Sequence, residues 1–85
     1  MAFVRIPSVL MKWINPAEKL NIAGDTVSVV LQNLFLDYPS LKPFIFPSDA
    51  LSPFINIYVN RSPALLSNAV KENDEIDIVA ALSGG

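Results

Sequence analysis

Val27, Val30, Leu31, Leu34, Phe35 and Tyr38 recur at spacings of three and four, which places them on one stripe of a single helix. Ser28, Gln32, Asn33 and Asp37 fall mostly off that stripe. Gly24-Asp25-Thr26 precedes it, and Asp25 or Thr26 can cap the helix by accepting from its free N–H groups. Pro39 ends it, because proline drives the preceding residue out of helical geometry. The β-branched content argues mildly against a helix, but so wide an apolar face outweighs propensity. With 85 residues the chain makes one domain. A lone helix with this face has to bury it, and the rest of the sequence offers a sheet.

Ala2, Val4 and Ile6 alternate with Phe3 and Arg5, the period of a strand, and Pro7 ends regular pairing. Residues 8–16 read as a wide connection in which Trp13 packs. Strand character returns over 18–22, with Leu20 and Ile22 on one face, so the first two strands pair antiparallel. Pro39, Pro43, Pro47 and Pro53 interrupt the region after the helix. Among them, Leu41, Phe44, Ile45 and Phe46 predict a short helical turn near 41–46 in a loop that needs cover. Phe54-Ile55-Asn56-Ile57-Tyr58-Val59-Asn60 is the clearest strand, with Ile55, Ile57 and Val59 on one face. Asn60-Arg61-Ser62-Pro63 signals a turn, and Leu65-Leu66 a brief strand or turn. Asn73-Asp74 marks a second turn, where Asn tolerates left-handed backbone. Residues 75–80 form the last strand, with Ile76 and Ile78 inward. This order predicts an α+β fold. With the first and last strands parallel in the middle it is a β-grasp: a mixed sheet with one main helix packed on one face. The domain spans residues 1–80, and residues 81–85 form a flexible tail.

The chain has no cysteine and no histidine. Disulfides, thiol nucleophiles, Cys/His zinc sites, imidazole bases and Ser-His triads are therefore excluded. Ser83 has no base to activate it. A net charge of −2 with six scattered basic residues does not supply the basic stripe that nucleic acid needs. No apolar stretch approaches the roughly 20 residues that span a bilayer, and no secretion signal opens the chain. The expectation is a cytoplasmic protein with no nucleic-acid or membrane partner and no cofactor. Glu72, Asp74, Glu75 and Asp77 read as a solvated edge or as a surface that steers a basic partner; calcium-loop spacing is missing.

Only three glycines are present, and two are Gly84 and Gly85. Chain ends are usually mobile, and a frayed end is the bland reading. The functional reading starts from the last strand, which runs straight into the tail. A diglycine arm threads a channel that larger residues would block. Its carboxylate, with a pKa near ~3.5, is anionic and a poor electrophile at neutral pH. Transfer chemistry at that group requires activation by another protein. Phe54, Tyr58 and Val79 fall on the sheet face opposite the inward residues, and Leu82 lies at the base of the tail. They form a partner-docking patch, or else the proline-rich loop folds over them.

The chain resembles the small sulfur carriers of the ubiquitin-like superfamily: the thiamine-pathway (ThiS-type) carrier, the small subunit of molybdopterin synthase (MoaD-type), and the carrier of one route to cysteine. Three stretches carry the likeness. They are Ile6-Pro7 with Gly24-Asp25-Thr26-Val27; residues 54–60; and Asn73-Asp74-Glu75-Ile76 through to Ser83-Gly84-Gly85. Residues 54–60, with Tyr38-Pro39-Ser40-Leu41, look closest to the cysteine-type branch. The resemblance implies that an ATP-dependent partner adenylates the Gly85 carboxylate. Sulfur then displaces AMP, and the resulting thiocarboxylate donates sulfur to an acceptor enzyme. Gly85 would carry the sulfur and Gly84 would give it clearance, so the chain would be a substrate and carrier and not an enzyme. Asn73 stands where the family often has glycine, Ala80-Ala81-Leu82 replaces a proline-containing run, and no arginine precedes the diglycine. The rival readings are a molybdopterin synthase subunit and a non-conjugating interaction module.

Overall fold

The computed structural model describes residues 1–7, 10 and 20–81. β1 (Ala2–Arg5) and β2 (Leu20–Ile22) pair antiparallel, with Ala2 opposite Ile22 and Val4 opposite Leu20. Helix α1 (Val27–Asp37) follows. A 3-10 turn at Pro39–Leu41, the one-turn helix α2 (Lys42–Ile45) and a 3-10 turn at Pro47–Asp49 lead to β3 (Ile55–Val59). β4 (Ser62–Pro63) completes a hairpin with β3, and β5 (Glu75–Ala80) comes last. The sheet order is β2-β1-β5-β3-β4. β1 and β5 run parallel at its centre, Val4 beside Ile76, and β3 runs antiparallel to β5, Ile57 beside Ile78. This mixed sheet under a main helix is the β-grasp architecture that the element order predicts.

Strand alternation sends Ala2, Val4, Ile6, Ile22, Ile55, Ile57, Ile76 and Ile78 into one buried layer, where they meet Val27, Val30, Leu31 and Leu34 of α1. Fully burying one such side chain contributes about 1.5–3 kcal/mol. Thr26 is the N-cap, its hydroxyl accepting from the Val29 N–H at 3.2 Å. The first helical N–H groups are also used: Val27 donates to the Asn68 carbonyl at 3.0 Å and Ser28 to that of Leu66 at 2.9 Å. The connection between β4 and β5 is thereby strapped across the helix start. Gly24 makes this entry possible. Its φ is +150°, and a Cβ there would lie 2.6 Å from Val30 Cγ2. Tyr38 closes the helix, donating its N–H to the Leu34 carbonyl at 2.8 Å.

The proline-rich segment is more helical than its composition predicts. Pro39, Pro43 and Pro47 each occupy a first-turn position, where no N–H is required. Leu41 and Ile45 enter the core, and the Phe46 ring meets Phe35 with centroids 5.9 Å apart. A second correction concerns 60–63. Only Asn60 (φ 49°) and Arg61 (φ 72°) make the turn, because a two-residue hairpin loop needs left-handed backbone at both positions. Ser62 and Pro63 are already paired, with Pro63 at a sheet edge where its missing N–H is tolerated. β3 therefore starts after Phe54 and stops before Asn60, and Leu66 lies in a turn. Asn73 has φ 68°, a left-handed backbone that asparagine tolerates. The expectations for Trp13, Glu18 and Lys19 fall outside the described residues, although Leu10, within the same connection, is buried. No helix among the described residues is long and apolar enough to cross a membrane.

Candidate functional site

The candidate site is the end of the sheet where β5 stops. β3 and β5 run in opposite directions, so the start of one meets the end of the other, Ile55 beside Ala80. One step beyond, the Ala81 N–H donates to the Phe54 carbonyl at 2.7 Å. Phe54 is itself held from behind, its N–H donating to the Ser52 hydroxyl at 3.1 Å. Ser52 donates its own N–H to the Ile45 carbonyl at 2.9 Å. Ser52 is the one buried polar residue among the described residues, and no buried side-chain nitrogen or oxygen among them lacks a partner.

On the face turned away from α1, Phe54 is 58% and Val79 43% exposed, with Tyr58 half-buried. The proline-rich segment does not cover them, because its Leu41 and Ile45 are committed to the core under α1. The sequence therefore locates these three residues on one open face. It also names Leu82, Ser83, Gly84 and Gly85, which lie outside the described residues.

Sequence reasoning missed Arg5, Ser52 and Ala81. Arg5 shares the open face. Its guanidinium reaches Glu75 at 3.4 Å and Asp77 at 3.5 Å, as the parallel register of β1 with β5 requires. The alternation of Phe3 and Arg5 with buried neighbours was the available signal. The acidic cluster is thus divided among separate tasks. Glu72 pairs with the terminal ammonium of Met1, and Glu75 and Asp77 flank Arg5. Asp74 accepts from the Lys71 N–H at 2.8 Å and the Asn60 amide at 3.0 Å. Those two bonds, the Lys71 N–H first, hold the Asp74 carboxyl below its ordinary value. Among the described residues no group of three or more Asp or Glu is placed to hold a metal ion.

On the opposite layer an open groove of about 400 Å³ runs between α1 and the proline-rich segment, floored by Leu31, Phe35 and Phe46. Its two charged groups, Lys42 and Asp49, pair with each other at 3.3 Å.

The profile of the ThiS family matches residues 4–85. The chain belongs to the ThiS family. No curated protein matches it. Among solved structures, this ThiS-family chain is similar over its full length to a chain of the Amycolatopsis orientalis BexX/CysO complex. There the identity is 26%, all of that chain is covered, and the TM-score is 0.88. It is similar to Mycobacterium tuberculosis CysO at 27% identity, covering 96% of this chain and 100% of that one, with a TM-score of 0.85. The small archaeal modifier protein 1 of Methanosarcina acetivorans is 29% identical, with 99% of this chain and 95% of that one covered, at a TM-score of 0.88. The ThiS-family chain is a CysO-like, ubiquitin-like sulfur carrier in fold and family.

Proposed function

We propose that this ThiS-family chain delivers sulfur through its C-terminus, with Gly85 as the residue that carries it. The single observation behind this is the pairing of a chain without His or Cys with a sheet end where the last strand stops beside an open apolar face. The sequence holds no His or Cys, Glu75 and Asp77 are engaged with Arg5 and Asp74 with the Lys71 N–H and the Asn60 amide, and Phe54 and Val79 stand exposed where β5 ends.

The chemistry follows from the carboxylate. A Gly85 oxygen attacks the α-phosphorus of ATP in a partner's site, and pyrophosphate leaves. A sulfur nucleophile then attacks the acyl carbon of the adenylate, and AMP leaves. With hydrosulfide the product is the thiocarboxylate directly; with a persulfide, a thiol next cleaves the acyl disulfide to release it. The thiocarboxylate sulfur then bonds to an electrophilic carbon of the acceptor's substrate and displaces its leaving group, and water cleaves the acyl–sulfur bond, returning a carboxylate for the next cycle. Glycine at 84 and 85 lets the arm enter a narrow site. Ordering each tail residue costs about 1–2 kcal/mol, and docking through Phe54, Tyr58, Val79 and Leu82 offsets that cost. In this reading the protein is a substrate and carrier that works in the cytoplasm, where ATP is present.

Intact-mass measurement tests it. The purified chain, its adenylating partner, ATP and a sulfide or persulfide source are incubated together. Exchange of one terminal oxygen for sulfur, lost on deleting Gly85, is the expected result. Unchanged mass with every adenylating enzyme of the same cell would overturn the reading.

A further inference from the structure

We infer that Ala81 is a positioning residue: its hydrogen bond to Phe54 sets the fixed point from which the tail is measured into a partner's site. This rests on the carrier reading above and adds a length requirement to it. Three observations converge. The β3–β5 ladder ends at the Ile55–Ala80 pair, yet Ala81 adds a further bond to the Phe54 carbonyl at 2.7 Å. That carbonyl belongs to a residue whose N–H is held by the Ser52 hydroxyl at 3.1 Å. Ser52 is buried and tied through its own N–H to Ile45 in the core. The anchor is therefore connected through Phe54 and Ser52 to the core. Phe54 also supplies the most exposed ring of the open face, at 58%, so the docking face and the origin of the tail share one residue.

Four residues follow Ala81. Fully extended they reach at most ~13–14 Å. A partner that seats Phe54 must hold its adenylating centre within that distance of Ala81. A free tether would tolerate a change in length, because effective concentration falls only slowly with linker length. An anchored arm would not, since one added residue displaces the carboxylate by up to ~3.4 Å.

The experiment compares four full-length chains with the adenylating partner: wild type, one glycine inserted between Ala81 and Leu82, the same insertion with Ser83 removed, and Ala81→Pro. Docking Kd and kcat for AMP-ester formation are read separately. The insertion is expected to lower kcat about a hundredfold, the scale of loss from misplacing a reacting group, with Kd within about threefold of wild type. Removing Ser83 as well restores kcat, a rescue that a purely structural role for this region would not give. Ala81→Pro keeps the length and removes the donor, and is expected to lower kcat without moving Kd. Wild-type kcat in the inserted chain overturns this inference alone, whereas failure of the wild-type chain to be adenylated overturns the carrier reading beneath it.

Discussion

Asn60 and Asp74, fourteen residues apart, are clasped: the Asn60 amide donates to Asp74 Oδ1 at 3.0 Å, while Asn60 Oδ1 accepts from the Glu75 N–H at 2.9 Å. The clasp joins the β3–β4 turn to the entry of β5, at the pole of the sheet opposite the tail. Both residues come from turns whose backbone is left-handed, at Asn60 and Asn73.

The clasp gives stability a pH dependence. The folded Asp74 carboxyl titrates below its ordinary value of 3.8. Its contribution is therefore complete above the unfolded pKa and is lost as pH falls through the lower, folded one. Urea unfolding of wild type and Asp74→Asn is expected to show a stability difference that is flat from about pH 5 to 7 and narrows below about pH 4. A gap that stays constant down to about pH 2 would show that the ionised carboxylate contributes nothing.

Gly24→Ala is expected to destabilise the fold by about 2–3 kcal/mol through left-handed strain and overpacking. The added methyl would meet Val30 Cγ2 at 2.6 Å and Val30 N at 2.7 Å, at a φ of +150°. Thermal unfolding reads the effect, and an unchanged midpoint would refute the close approach of this turn to α1.

Two leucines of α1 separate burial from composition. Leu34 is fully buried, whereas Leu36 is 79% exposed. Leu34→Ala should cost about 2–5 kcal/mol, and Leu36→Ala less than about 0.5 kcal/mol. Equal losses in chemical denaturation would mean that the helix face is assigned wrongly.

Phe54→Ala is expected to leave the fold intact and weaken docking of the adenylating partner by about 2 kcal/mol, the scale of an aromatic interface anchor. Deleting Gly85 should do the reverse, sparing docking and abolishing sulfur gain. Titration calorimetry and intact mass read the two separately. Tight docking by the Phe54 variant would remove this face from the interface.

Periodicity made α1, β1, β3 and β5 legible, because each buries one face and so repeats its apolar residues at a fixed interval. Asp25 or Thr26 at one end and Pro39 at the other marked α1 for local reasons, and the structure gives the cap to Thr26. β4 was not legible. Two residues have no period, and Pro63 reads as a turn until the left-handed pair Asn60-Arg61 is known to close it. The helical turns at 39–49 were half-hidden, since proline signals a break in sequence and a first turn in structure. At the candidate site, Phe54, Tyr58 and Val79 followed from alternation alone. Ser52 and Ala81 did not, because their roles depend on which strands meet, and Arg5 became meaningful only once β1 was seen to lie beside β5.

The parallel pairing of β1 and β5 has a mechanical consequence. The start of β1 and the end of β5 leave the sheet at opposite poles. Tension between them loads the ladder lengthwise, so its hydrogen bonds share the force and do not rupture singly. A pull between these two ends therefore has to shear the β1–β5 ladder as a whole before either strand is freed.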